Sequence, residues 1–281
     1  GEHQPLVLCG GVCAFLNPEP LADIMDLFAV GEAEVILPPL LESLLARDAG
    51  DRKQLLSHLS QLPGVYQPAG YTISYGETGE LQAMTPAENL PEHVIRQWQT
   101  HLDDSQSRTC VATPDTEFGS MHLVEVSRGC PRACRFCAAG FIYRPFREHS
   151  LDHLRHEILE EQHEVGRVGL VAAAVSDYSE LAEIGRAILD HGGEVSVSSV
   201  RIDAITIDQV RVLADAGHKT LALAPEAGSQ QMRDVINKGI DEAQILAAVE
   251  LLAEGGIPNL KLYFMIGLPT ESEADIVAIA D

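Results

Sequence analysis

Aromatic residues make up only 5% of the 281 residues, with a single tryptophan, so a core built on rings is excluded. With 46% hydrophobic residues, the core must come from Leu, Ile, Val and Ala, and the length allows one large domain or two ordinary ones. Long apolar runs are also missing. "ILPPLLESLLA" (36–46) is too short and too interrupted for a membrane span. The start, "GEHQPLVLCGG", lacks the basic n-region of a secretory signal, which points to the cytoplasm. Basic residues are scarce too, 19 Lys and Arg against 42 Asp and Glu, for a formal net charge of −23. Such a surface repels phosphate backbones, which makes nucleic acid an unfavourable partner, and it favours solubility.

From residue 120 onward, β-branched runs alternate with helical stretches. The predicted strands are "HLVEVS" (122–127), "VGLVAAAVSD" (168–177), "EVSVSSV" (194–200), "KTLALAPEAG" (219–228) and "NLKLYFMIGLP" (259–269). "SLDHLRHEILEEQHEVG" carries a Ser150 cap, and "YSELAEIGRAILDHGG" ends in the glycines that stop helices. Five βα units in series predict a parallel sheet with helices outside, read here as a partial (β/α) barrel. The chain ends inside the fifth crossover helix, as expected for part of a longer protein. Residues 1–115 read as the rear half of a Rossmann-like α/β domain plus a linker, with a hairpin at "YTISYGETGELQAM", and 116–281 as the core truncated after its fifth strand. The glycine loops Gly10–Asn17 and Gly31–Glu34 are expected at one edge of the first sheet.

Six cysteines in a reducing compartment favour metal or catalytic roles over disulfides. Cys130, Cys134 and Cys137 stand in a C-x3-C-x2-C frame in the loop after the first strand of the series, where βα enzymes place their chemistry. A closed zinc site wants four ligands, and none stands near Cys137 in sequence, His149 being the next histidine. Three thiolates can hold three irons of a 4Fe–4S cube and leave the fourth iron open to a small molecule. Gly129 and Pro131 shape the loop, and Arg128, Arg132 and Arg135 bring positive charge to an anionic cluster.

"GCPRACRFC" resembles the radical SAM (S-adenosylmethionine) signature C-x3-C-x-aromatic-C, with Phe136 in the aromatic position. The resemblance implies a 4Fe–4S cluster that binds SAM at its open iron and cleaves it reductively to a 5′-deoxyadenosyl radical. An electron donor such as flavodoxin or ferredoxin is implied with it. By the same resemblance, "AVSDYSE" offers Ser176 and Asp177 to SAM. "SVSSVRID" offers Ser198 and Arg201, "LAPEAGSQ" offers Glu226, and "YFMIGLPTES" offers the Gly267 turn. Residues of these types at strand ends also serve as helix caps, and Glu226 and Arg201 are complementary enough to pair with each other. "LCGGVCAFLNPEPLADIMDLFAVGEAE", "PEAGSQQMRDVINKGI" and "KLYFMIGLPTES" further resemble the branch with an N-terminal cobalamin-binding-type domain, related to the methylthiotransferases. That kinship implies cobalamin as a further cofactor, although the cobalt-ligand motif D-x-H-x-x-G does not occur in these residues. The implied activity is cobalamin-assisted methyl transfer to an unactivated carbon. The alternatives are methylthiolation or another radical modification of tRNA or protein, and a non-catalytic iron–sulfur redox sensor. Cys9, Cys13 and Cys110 read as buried free thiols rather than a second cluster, and His3, His58, His101, His122 and His149 as ordinary residues without ligand spacing.

Overall fold

The computed structural model describes residues 5–46, 51–160, 166–198 and 200–280, so His3 lies outside the described residues. The chain divides into two compact units, Gly1–Thr100 and His101–Asp281.

In the first unit, β1 (Leu8–Cys9) lies parallel to β2 (Leu27–Ala29), and β3 (Val65–Tyr66) adds antiparallel to β2. Helices α1 (Val12–Leu16), α2 (Ala33–Leu45) and α3 (Arg52–Leu59) surround this small sheet, and β4 (Tyr71–Tyr75) pairs with β5 (Leu81–Pro86) as the expected hairpin. Leu27, Ile36, Leu40, Leu59 and Val65 form its aliphatic core. Because β1 and β2 run parallel, the loops that leave them, Gly10–Asn17 and Gly31–Glu34, do emerge at the same sheet edge.

In the second unit, β6 (Met121–Glu125), β9 (Arg167–Val171) and β10 (Glu194–Ser196) form one parallel sheet in chain order, and β11 (Thr220–Glu226) and β12 (Asn259–Phe264) form a parallel pair. The hydrogen bond from Val200 N to Ala222 O, 3.4 Å long, joins the two sets. This is the anticipated series of parallel strands, and Val124, Val168, Leu170, Leu221 and Leu223 fill its core with aliphatic side chains. The second strand is shorter than its apolar run because the chain leaves β9 after Val171 and coils through Val175–Asp177 in a 3-10 turn. The short antiparallel pair β7 (Ser127–Arg128) and β8 (Arg147–Glu148) brackets the cysteine loop and α4 (Ala139–Ile142).

Helix starts follow their caps. Ser150 Oγ accepts the His153 N–H at the head of α5 (Leu151–Arg155), which runs on as one π-helical turn through Glu160. Helix α6 (Leu181–Asp190) buries Leu181, Ile184 and Ile188 on one face. Capping boxes at Thr206/Gln209 and Asp241/Gln244 begin α7 (Ile207–Asp215) and α9 (Glu242–Glu254), and Ser229 and Ser272 cap α8 (Gln230–Val235) and α10 (Glu273–Val277). No helix among the described residues is long and apolar enough to cross a membrane.

The two glycine loops of the first unit differ in what requires glycine. Gly31 has φ of 137°, and a Cβ there would stand 2.1 Å from Gln97 O, so backbone packing alone accounts for it. Gly11 has φ of 89° and open space where a Cβ would stand. Gly11→Ala should therefore cost only backbone strain, about 1–3 kcal/mol, whereas Gly31→Ala adds a backbone overlap and should cost more. Urea unfolding followed through the fluorescence of Trp98, the single tryptophan, checks this ranking; equal losses would contradict it.

Candidate active site

The cysteine loop leaves β7 at Gly129, whose φ of 98° is in the glycine region; a Cβ there would stand 2.7 Å from Tyr143 O and 2.8 Å from Pro145 O. Gly140 is equally constrained, since a Cβ would meet Arg132 O at 2.3 Å. A second clamp comes from the turn after α8. Arg135 N–H donates to Ile236 O at 2.9 Å, its Nη1 donates to Val235 O at 2.5 Å, and Asn237 Nδ2 donates to Ala133 O at 2.8 Å. Cys137 N–H closes back on Cys134 O at 3.1 Å. The loop is thus held on both sides by backbone groups.

Cys130 and Cys134 are buried and Cys137 is half-buried, and all three line one cavity. Burial pushes the Cys130 thiol up, against the opposing pull of a backbone hydrogen bond from Arg132 and the Arg201 charge. Such a thiol releases its proton when a metal takes its place. Three thiols in one cavity with no fourth cysteine or histidine among its lining residues fit a cluster with one open position.

Phe136, Arg201 and Glu226 also line the cavity. Ser176 and Asp177 stand behind its wall. The buried Ser176 Oγ accepts the Arg201 N–H at 2.8 Å, and Asp177 pairs with Arg132. Ser198 and Gly267 are exposed and outside the cavity lining; Gly267 turns with φ of 91°, and its N–H donates to Glu271 Oε2 at 2.6 Å.

Arg201 and Glu226 do not pair with each other. Arg201 is bound through Nη2 to Asp203 at 2.9 Å and lies 3.8 Å from Asp177. Arg132 bridges the same two carboxylates, reaching Asp203 at 2.8 Å. Two guanidiniums and two carboxylates alternate, so the positive charges are already balanced. Glu226, at φ of 71° beside a bulge in β11, instead accepts from Lys238 Nζ at 3.0 Å, and that ammonium also lies 5.9 Å from the centre of the Phe136 ring. Asp203, Lys238 and the cavity-lining Tyr263 were not singled out by motif. Lys238 follows the "VIN" of the clamp turn, and only the fold brings it to Phe136.

The arginines of the loop are structural as well as electrostatic. Arg128 pairs with Glu125 at 2.6 Å and donates to Ser107 Oγ, and Arg135 grips the α8 turn. The expectation for the other cysteines needs correction. Cys13 and Cys110 are exposed and Cys9 is half-buried: Cys9 ends the two-residue β1, Cys13 lies in the short α1 whose buried residue is Ala14, and Cys110 lies in irregular backbone.

A family model for the radical SAM superfamily matches residues 124–281, and one for the N-terminal region of radical SAM proteins matches residues 1–68. The chain belongs to the radical SAM superfamily. It is 32% identical over 274 residues to an uncharacterized protein of Methanocaldococcus jannaschii, covering 96% of this chain and 54% of the relative. It is 26% identical over 288 residues to an uncharacterized methyltransferase of Pyrococcus horikoshii, covering 99% and 57%. The chain therefore spans about half the length of the curated relatives it matches. Among solved structures, the cobalamin-dependent S-adenosylmethionine radical enzyme OxsB, with aqua-cobalamin and S-adenosylmethionine bound, superposes with a TM-score of 0.59 at 18% identity, covering 96% of this chain and 38% of that one. As in its superfamily, the radical SAM site of this chain is an enzyme site that uses a 4Fe–4S cluster and SAM.

Two outcomes check this geometry. In cluster-free protein, Cys13 and Cys110 should react with a thiol-specific reagent at least about tenfold faster than Cys130 and Cys134, as read by mass-spectrometric labelling; uniform labelling would refute the burial pattern. Asp203→Asn leaves Arg132 and Arg201 sharing one carboxylate and should cost about 2–4 kcal/mol of stability, measured by thermal or chemical unfolding of the cluster-free protein. An unchanged stability would remove Asp203 from its bridging role.

Proposed function

We propose that this radical SAM enzyme carries out cobalamin-assisted methyl transfer to an unactivated carbon. The observation that carries the reading is the meeting of three open-ended thiol ligands with Arg201 and the Glu226–Lys238 pair around one cavity. When bound there, the cluster and SAM supply one-electron cleavage of SAM and a 5′-deoxyadenosyl radical. The protein contributes the rest. Arg201, anchored at its backbone N–H by Ser176 Oγ and at its guanidinium by Asp203, presents its remaining N–H donors to a ligand carboxylate. Glu226, aimed by Lys238, is the acceptor for an amino group, and Asp177 acts indirectly by orienting Arg132. The Phe136 ring and the apolar wall of Ala174, Val200, Ile202 and Leu223 keep water from the reacting centre. Ser198 and Gly267, outside that wall, are proposed contacts for the parts of SAM that extend beyond it.

Methyl transfer and cobalamin rest on the N-terminal half. Its parallel β1–β2 pair leads into a loop whose Gly11 faces open space, room that a flat ligand needs; Gly31, filled by Gln97, does not contribute. Similarity to the methyltransferase of P. horikoshii and to OxsB supports the same reading. A small electron-transfer protein of the flavodoxin or ferredoxin kind is the proposed electron donor.

The test is anaerobic reconstitution with iron, sulfide, SAM and hydroxocobalamin, followed by dithionite reduction. The protein should retain a corrinoid spectrum through gel filtration and release 5′-deoxyadenosine, and any of the three Cys→Ala variants should release none. Arg201→Ala should weaken SAM binding by about five- to a hundredfold, from the loss of a charged hydrogen-bond partner. Release of 5′-deoxyadenosine without corrinoid retention would overturn the cobalamin reading and keep the radical chemistry.

A further inference from the structure

A second cluster of ligating side chains stands apart from the cysteine cavity. Asp103 lies in the 3-10 turn Leu102–Asp104, and His149 and His153 flank the start of α5. The ring of His149 is stacked on that of His153, with centres 4.9 Å apart and planes 12° from parallel. His149 Nδ1 lies 3.2 Å from Asp103 Oδ1. One nitrogen from each ring and one oxygen of Asp103 all lie within 4.8 Å of one another. His149 was read from the sequence as ordinary. His149 precedes the Ser150 cap and stacks on His153 in the first turn of α5, and the fold supplies the carboxylate from 46 residues upstream.

The alternative is a capping arrangement. Asp103 Oδ1 does accept the Ser150 N–H at 3.0 Å, which explains the carboxylate. It does not explain the imidazoles. The His149 side chain is 1% exposed, yet its Nε2 has no hydrogen-bond partner; the buried Nε2 of His153 has no hydrogen bond either, with the Glu157 carboxylate 3.7 Å away. Histidines buried for packing alone normally satisfy both ring nitrogens. A ring nitrogen that carries a lone pair and meets no donor is suited to a metal ion.

We propose that Asp103, His149 and His153 form a mononuclear site for a divalent transition-metal ion of the zinc class, separate from the three cysteines. Two imidazoles and one carboxylate suit Zn²⁺ and its neighbours and not Mg²⁺ or Ca²⁺, which want oxygen ligands. Ligands about 2.1 Å from a shared ion stand about 3.4 Å apart, so modest closure completes the set. Asp103, whose side chain is 41% exposed, is free to make that movement. Glu157 lies 3.7 Å from His153 Nε2, and a proton held there toward the carboxylate leaves Nδ1 as the ligating atom of that ring. The ion has a structural task here. His149 N–H donates to Val126 O, next to β7, and β8 ends one residue before His149. A metal at this point ties the first turn of the second unit to the strand pair that carries the cysteine loop.

The experiment uses the full chain with Cys130, Cys134 and Cys137 all changed to Ser, so that it is independent of the iron–sulfur reading. Metal-free protein is titrated with Co²⁺, followed by its d–d absorption, and with Zn²⁺ by calorimetry and thermal unfolding. One Co²⁺ per chain should bind without thiolate charge-transfer bands, Zn²⁺ should displace it, and Zn²⁺ should raise the melting temperature. His153→Ala and Asp103→Asn, chosen because these side chains are less buried than His149, should each weaken binding by at least about tenfold in a metal-free protein that still unfolds cooperatively. No saturable binding below about 0.1 mM, charge-transfer bands from thiolate ligands, or parent-like binding by either variant would overturn the site.

Discussion

The clamp between the cysteine loop and the turn after α8 is the interaction on which the rest of the site depends. Three cysteines close in sequence do not by themselves share a cavity. Their loop has little regular structure, and its shape comes from Arg135 N–H on Ile236 O and Asn237 on Ala133 O. The same turn delivers Lys238 to Glu226 and to the Phe136 ring. Two hydrogen bonds between segments about a hundred positions apart therefore set both the metal-ligand loop and the charged end of the cavity. Rigid support of this kind is what a reactive centre needs, because small displacements of ligands are expensive in rate.

Charge balance is the second organising feature. The chain is strongly acidic overall, yet the cavity collects Arg132, Arg201 and Lys238. Each is matched to a carboxylate, through Asp177, Asp203 and Glu226. Buried charges are tolerable only when paired and hydrogen-bonded, and the pairing also removes rotamer freedom from the groups that face a ligand. The cations are thereby aimed as well as neutralised.

What could be read from the sequence was what is local. Strand and helix order in the second unit, the Ser150 cap and the three-thiol frame all depend on neighbours a few residues apart. Their spacing carries the signal. Arg132 reaching Asp203, Lys238 as the partner of Glu226, and Asp103 beside His149 are meetings across 12 to 71 positions, and no periodicity announces them. The exposure of Cys13 and Cys110 was missed for a related reason: burial of a lone cysteine is decided by what the fold lays over it, and both, one in α1 and one in irregular backbone, are left exposed.

The central claim is that Cys130, Cys134 and Cys137 hold a cluster of four irons with one iron open to SAM. Mössbauer spectroscopy of protein reconstituted with ⁵⁷Fe, recorded before and after SAM is added, tests it most directly. The account predicts that SAM changes the signal of one iron in the cube and leaves the other three as they were. Four irons that all ignore SAM, or a cluster of fewer irons that cannot be built up to four, would contradict it.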